Sequence, residues 1–412
     1  MKVGKKTYLQ IVDFILKQKL FYRMIDFFCL PLVPPLYILR RTLRIHMVRI
    51  WAGRIGEASS QLEILLRRHR LGSNPKHNKY VMVTSTDVAN QYQMDLYKRT
   101  FKDKGYPYII LQIPQPKPVR AITKILAQKS VLSRLGLFYV LPTERKEYHE
   151  YNSTGPSLSF PEEDEKKGKD FLKQLGVNNA QFICFHARDS TFINTRLRKG
   201  DVKSVHRNCD INNYLPAAEY LANQGIFALR MGSLVEKKIT STNQKVIDYA
   251  TTARSAFGDY YLLGKCKFFL GSTAGICMIS QGFNIPLALA NHLTLKWPPF
   301  RKEDLFIPKK IWSKDKNKFL TFKEIINSPV FEFEWAYEYE DAGLTLVENT
   351  PQEIVDLAKE MNDRIDGKWK TTPEDEALQK KFRSLFHKGL PCYGFPARMG
   401  SQFLRENKFL LE

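Results

Sequence analysis

His186, Arg188 and Asp189 fall within four residues, directly after the apolar run FICF (182–185). An imidazole, a guanidinium and a carboxylate delivered together can bind an oxyanion or move a proton. At the end of a buried strand such groups are costly unless they meet phosphate or a carboxylate. Two further apolar runs end in a similar way. IFAL (226–229) delivers Arg230, Met231 and Gly232, and KFFL (267–270) delivers Gly271, Ser272, Thr273 and Gly275.

In an open parallel sheet, ligands bind outside the carboxyl ends of the strands. These three ends are therefore the candidate binding residues. In LGSTAGICMI a small-residue loop follows a strand and opens a helix, so its backbone N–H groups and the helix dipole can hold an anion. The loop lacks GK[ST] and is not a P-loop. Without a ligand it is only a tight strand–helix connection. Arg188 and Arg230 beside it point to a shared diphosphate, the alternative being salt bridges to Asp189, Asp201, Asp210 or Asp259. His186 shares a turn with Arg188, which favours support of the binding site over a role as base. Asp189, Asp201, His206 and Glu57 are candidate bases, and the sequence does not choose among them.

An earlier stretch delivers Gly53, Arg54, Gly56 and Glu57, then Thr84, Ser85, Thr86 and Asp87. These are candidates for the opposite wall of a cleft. No HExxH, CxxC or DxD pattern is present, so neither a metal nor another cofactor is expected. The run Glu162 to Glu165 leads into lysines and reads as a solvated face. Arginines in place of a cation would supply the counter-charge for a diphosphate.

The elements that must position these residues alternate. IHMVR (45–49), YVMVTSTD (80–87), YPYIILQIP (106–114) and GLFYVLP (136–142) read as strands, the first followed by a glycine turn and an amphipathic stretch. Residues 143–165 are polar and turn-rich and read as a linker. Beyond them, strands at 181–189, 226–233, 267–272 and 285–291 alternate with helices at 212–225, 255–266 and 273–284. This predicts a parallel sheet covered on both faces. A helix over 349–361 carries its own start signal, with Thr350 as N-cap, Pro351 in the first turn and Glu353 completing a capping box. The expected division is a basic N-terminal segment (1–44), a first α/β domain (45–160), a second (161–365) and a C-terminal extension (366–412).

Composition limits the partners. The chain has 412 residues, of which 43% are hydrophobic, so a packed core is expected. Its formal net charge of +22 calls for an anionic partner: nucleic acid, an anionic membrane surface or a phosphorylated small molecule. Nucleic acid is disfavoured, because the aromatic residues are not interleaved with basic ones in a known module. The six cysteines are scattered, and Cys184, Cys266 and Cys277 read as buried thiols of a reduced compartment. Residues 1–50 carry ten Lys/Arg against two Asp. Their most apolar part, FFCLPLVPPLYIL (27–39), holds three prolines. It reads as too short to span a bilayer, which takes about 20 apolar residues, and as a basic amphipathic segment lying on a membrane.

Three blocks resemble a family of bacterial glycosyltransferases from surface-polysaccharide gene clusters. They are FHARDSTF…HRNCDINNYLPAAEYLANQGIFALRMGS, VIDYATTARSAFGDYYLLGKCKFFLGSTAG and AGLTLVENTPQEIVDLAKEM. The ending RMGSQFLRENKFLL (398–411) and the loop GRIGE are also similar, so the resemblance runs from about residue 45 to the end. More distantly, the HxR strand end resembles the fucosyltransferase-like branch of the GT-B architecture.

The resemblance implies two Rossmann-like domains facing a cleft, with the final segment packed back on the first. It implies a metal-independent, inverting glycosyltransferase that moves a sugar from a nucleotide-sugar donor to a hydroxyl of a surface glycan or lipid-linked acceptor, at the cytoplasmic face of the membrane. Arg188 becomes the diphosphate arginine, with Ser272 and Thr273 at the phosphate turn. Asp189 stands where that branch commonly has a second arginine, which leaves the identity of the donor nucleotide open. An epimerase or a non-catalytic sugar-nucleotide sensor on the same fold is the alternative.

Overall fold

A computed structural model describes residues 20–74, 77–141, 143–144, 146–197 and 203–412. Asp201 and the basic residues at positions 2, 5, 6, 17 and 19 lie outside them. The chain forms two units, Met1–Thr143 and Glu144–Glu412. The expected boundary near residue 160 moves to 143/144. The polar stretch after 143 hides anchors that pack into the second unit. Tyr151 stacks on Phe300 at 4.9 Å, and the amides of Ser157 and Leu158 both donate to Gly282 O.

The first unit holds four parallel strands: β1 (Ile45–Arg49), β2 (Lys79–Ser85), β3 (Tyr108–Ile113) and β4 (Phe138–Val140). Their order is β3-β2-β1-β4, with helices Ile55–Arg70, Gln91–Asp103 and Lys117–Gln128 connecting them. The order reverses between β1 and β4, which makes their carboxyl ends the topological switch point. Gln61 closes that point from the first helix. Its Oε1 accepts from Trp51 N (3.0 Å), and its Nε2 donates to Leu141 O (3.3 Å).

A helix runs from Leu20 to Arg41 ahead of β1. One face docks on the unit, with Cys29 packed beside Leu132 and Phe138, and Asp26 paired with Arg134 at 2.6 Å. Phe27 and Phe28 are about 70% exposed (69% and 71%). The sequence reading underestimated this segment. At 22 residues the helix is long and apolar enough to cross a membrane by length and composition. Apolar residues before Phe27 extend it, and the prolines do not break it. A 3₁₀ turn at Leu30–Leu32 takes Pro31, and Pro34 sits at the start of the helix Val33–Arg41, where a missing N–H costs nothing.

The second unit carries β5 (Phe182–His186), β6 (Phe227–Arg230), β7 (Val246–Ile247), β8 (Phe269–Gly271), β9 (Leu287–His292) and β10 (Leu305–Pro308). A small antiparallel sheet of β11 (Lys310–Ser313), β12 (Lys318–Phe319) and β13 (Leu344–Val347) follows, then β14 (Arg398–Met399). The main sheet is parallel throughout, in the order β14-β10-β9-β8-β5-β6-β7. Counted from β5 this is 3-2-1-4-5-6-7, with its switch point between β5 and β8.

Its central strands are apolar on both faces because helices cover both. Ile183, Cys184, Phe185, Leu229 and Leu270 are fully buried. The helix Pro351–Ile365 starts with the expected capping box of Thr350 and Glu353. The C-terminal extension builds into the second unit. β14 pairs with β10, and Ser401 bonds to Glu360 of the helix Pro351–Ile365 through both its amide and its hydroxyl. All six cysteines are free and buried.

Candidate functional site

The strand order places β8, β5 and β6 side by side, so the three chemically loaded strand ends are neighbours. Gly271 makes this closeness possible. A Cβ there would lie 2.5 Å from His186 O and 2.8 Å from the Phe269 ring. With no side chain in the way, Ser272 N donates to His186 O (3.2 Å) and Ser272 Oγ accepts from Arg188 N (3.0 Å). A serine hydroxyl thus spans the switch point. The helix after this turn is shorter than the sequence suggests, only Cys277–Gly282, because the amides of Cys277, Met278 and Ile279 close local turns. What remains is a run of open donors. The amides of Thr273, Ala274, Gly275 and Ile276 donate to no acceptor among the described residues, and Gly275 is exposed.

Arg188 leaves the strand end nearly buried, 7% exposed. Its Nη1 donates to Ser204 O (3.0 Å) and to Asn208 Oδ1, and its Nη2 donates to Ser204 Oγ (3.0 Å). It therefore grips the loop that covers the sheet end. Lys309, after β10, holds the same loop through Asn208 O (2.7 Å) and His206 O (3.2 Å). From that loop Arg207 Nη2 reaches Thr273 O (2.8 Å). Three cations from three parts of the chain thus gather at the switch point, with Glu348 3.9 Å from Lys309. Excess positive charge beside open amides has the chemistry to hold an anion.

Two histidines flank the glycine turn, one at the end of β5 and one at the end of β9. Burial lowers the pKa of each to about 4, so both are neutral at pH 7. His186 Nδ1 lies 2.9 Å from Met231 O. A carbonyl only accepts, so Nδ1 carries the proton and Nε2 keeps its lone pair. His186 therefore suits a ligand hydroxyl better than a phosphate oxygen, a change from the supporting role beside phosphate that the sequence suggested. His292 Nδ1 meets Thr273 Oγ1 at 2.8 Å.

Other expectations change more. Arg230 is not at the binding surface. It is 1% exposed, its Nη1 pairs with Asp248 Oδ1 at 3.1 Å, and its Nη2 donates to Lys237 O (3.1 Å). It is a structural ion pair, with a partner the sequence did not single out. Met231 contributes only its backbone, its N donating to Phe185 O (2.8 Å), while its side chain is buried. Gly232 has φ +155°, and a Cβ there would lie 2.5 Å from Val235 Cγ1, so the bend after β6 needs glycine.

The candidate bases are also constrained. Asp189 spends one oxygen on Thr191 N (2.8 Å) and the other on Glu236 N (3.1 Å), which makes it a loop anchor. His206 stacks on Tyr339, and burial, with Arg207 and Arg188 nearby, lowers its pKa to about 4, far below the useful range for a base at pH 7. Glu57 belongs to the first unit and pairs with Arg54 at 2.8 Å on the surface. There Gly53 lies in the turn after β1, with nothing within 4 Å of a Cβ, and Gly56 is in the first turn of the helix Ile55–Arg70.

Sequence reasoning missed Arg207, Lys309, Ser204, Asn208 and His292. Only His292 had a readable signal, since LALANH (287–292) ends in histidine as FICFH does. Among the described residues no group of three or more His, Cys, Asp or Glu is arranged to hold a metal ion.

No family model and no curated protein matches the chain. Among solved structures it is similar to a family 9 glycosyltransferase from Veillonella parvula, at 10% identity and a TM-score of 0.44, over 77% of this chain and 97% of that one. It is also similar to ADP-heptose lipopolysaccharide heptosyltransferase II of E. coli, at 14% identity and a TM-score of 0.33, over 59% and 83%. A third is the dodecameric iron-containing glycosyltransferase TibC of enterotoxigenic E. coli, at 10% identity and a TM-score of 0.33, over 62% and 61%. With overlap this low, none of them assigns an activity to this chain.

Proposed function

We propose that the chain is a glycosyltransferase that binds a nucleotide-sugar diphosphate at the switch point of its second sheet. The observation that carries this is the Arg188 N to Ser272 Oγ bond (3.0 Å), which joins the arginine strand end to a turn of four open amides. In the reaction a hydroxyl of a surface glycan or lipid-linked acceptor attacks the anomeric carbon. The new C–O bond forms as the bond to the diphosphate breaks. The nucleoside diphosphate leaves with the electron pair, and the hydroxyl proton passes to a base or to solvent. A single in-line displacement inverts the anomeric configuration.

The charge that develops on the leaving diphosphate is met by the amides of Thr273 to Ile276 and by Arg207, while Arg188, whose guanidinium is held by Ser204 and Asn208, fixes the loop that carries Arg207. His186 Nε2 accepts from a donor hydroxyl, as its tautomer requires. Guanidinium groups and amides take the place of a divalent ion in this reading. The acceptor belongs to the first unit. The helix Leu20–Arg41, with its exposed phenylalanines, holds the enzyme at the cytoplasmic membrane face, near a lipid-linked acceptor.

The test incubates full-length protein with ADP-, GDP-, UDP- and CMP-linked sugars, with and without a glycolipid acceptor, and measures free nucleotide. Release that depends on acceptor, persists in EDTA and drops by about 100-fold or more in Arg188→Ala is the expected result. Product formed without acceptor would instead indicate an epimerase, and binding without turnover a sensor. Turnover unaffected by Arg188→Ala would remove the site assignment.

A further inference from the structure

The carboxyl end of the first sheet holds buried donors with no acceptor. Arg49 is the last residue of β1, at that sheet's switch point, and is 4% exposed. Its Nε and Nη1 are buried and make no hydrogen bond. Its guanidinium carbon lies 4.0 Å from the centre of the Trp51 ring, over whose face Lys124 Nζ also sits at 5.4 Å. Burial, then the charge of Arg120, pulls the Arg49 pKa down to about 10.

Arg120 Nη2 donates to Asp87 Oδ2 (3.1 Å) and, at 3.5 Å, to Gln115 O, while its Nε is buried without a partner. Gln115 is 4% exposed, and its Nε2 likewise has no acceptor. Of the neighbouring acids, Glu57 pairs with Arg54, and Asp87 takes one arm of Arg120, leaving Arg49 with no carboxylate partner among the described residues. The same unit shows the ordinary solution for a buried arginine, since the fully buried Arg67 has Glu63 at 3.5 Å.

A buried guanidinium left without an acceptor is destabilising. A fold that keeps it beside a second arginine, a lysine and an unpaired amide has the makings of a receptor. We propose that Arg49, Arg120, Lys124 and Gln115 form a binding site for a phosphoryl group. Phosphate fits better than carboxylate on number alone. One open guanidinium, the free Nε of a second, an ammonium and an amide offer more donors than two oxygens can accept, and three terminal oxygens with a dianionic charge match them. The phosphoryl group could be borne by a soluble phosphate ester or by a lipid head group. The site lies within the first unit and does not depend on the proposed diphosphate site in the second.

Two probes separate the sources: inorganic phosphate, and phosphatidylcholine vesicles with and without phosphatidic acid. Binding to the full-length protein is followed by tryptophan emission, which Trp51 reports directly, and by vesicle co-sedimentation. The expected result is a response to at least one probe that is weakened about tenfold or more in both Arg49→Met and Arg120→Gln. A response to phosphate alone assigns a soluble ligand, and a response only to phosphatidic acid assigns a lipid one. Arg120 is half-buried, so Arg120→Gln carries the test if Arg49→Met does not fold. Wild-type affinity in the variants, or no response of the wild type to either probe, overturns the proposal.

Discussion

The two sheets share a strand order up to their switch points and treat their buried arginines in opposite ways. In the second unit Arg230 is neutralised by Asp248, and Arg188 is wrapped by Ser204 and Asn208. In the first unit Arg49 is almost as deeply buried, yet its guanidinium lies on the face of Trp51 and its Nε and Nη1 have no acceptor. A buried guanidinium thus serves two purposes in one molecule. Paired with a carboxylate it fixes a loop, and left open it holds donors ready for a ligand. The difference teaches that burial of a charge alone says little about function, and that its partners decide.

The most direct way to break this contrast is to remove a partner. Asp248 also accepts from Ile239 N (3.1 Å) and Thr251 Oγ1 (2.8 Å), so it organises the whole segment after β6. Asp248→Asn leaves Arg230 buried and uncompensated, and the expected loss is about 3–5 kcal/mol. That is large beside a typical total stability of about 5–15 kcal/mol. Arg230→Met with Asp248→Asn removes both charges, keeps a side-chain oxygen for Ile239 N and Thr251 Oγ1, and should recover much of the loss. Chemical denaturation of the three proteins measures this. Equal stability of single and double variants would show that the pair is not coupled.

The opposite outcome is expected at Arg49. With no phosphate present, Arg49→Met removes an unpaired buried cation and keeps the aliphatic packing on Trp51. The folded state should gain about 1 kcal/mol, because no partner is orphaned by the change. A loss of several kcal/mol would mean that Arg49 is structural after all, and the two sheets would then use their arginines alike.

How much of this was legible follows from the same contrast. Strands buried on both faces are continuous apolar runs, so FICF, IFAL and KFFL and the residues they deliver could be read directly. Their adjacency could not be read, because it depends on sheet order. Arg230 was misjudged since its partner follows a strand of two residues, Val246–Ile247, too short to show a period. The same is true of Arg398–Met399, which carries the C-terminal segment into the second sheet. Arg49 was visible only as one more basic residue, because the lack of a partner exists only in space. In the helix Leu20–Arg41 the prolines read as breakers by type, whereas their places at the starts of turns leave the helix whole.

The smallest expected effect separates the two strand ends by pH. The first sheet's end carries arginines and a lysine and, among the described residues, no histidine of this kind. The second carries His186 and His292, held neutral by burial, with pKa values near 4 against an ordinary 6.5. As pH falls below 6.5 the unfolded chain takes up protons that these folded histidines refuse, so stability falls with pH. For the fully buried His292 the loss between pH 8 and 6 is about 0.8 kcal/mol. Asp304 acts in the opposite direction, because burial raises its pKa to about 7 and acidification relieves it. The difference between wild type and His292→Asn cancels that contribution. The variant keeps a polar atom near Thr273 Oγ1, so its packing cost should be independent of pH. Its stability gap to the wild type should therefore narrow on going from pH 8 to 6. Parallel curves would show that His292 takes up protons equally in both states, and the neutral strand end would no longer distinguish the second sheet from the first.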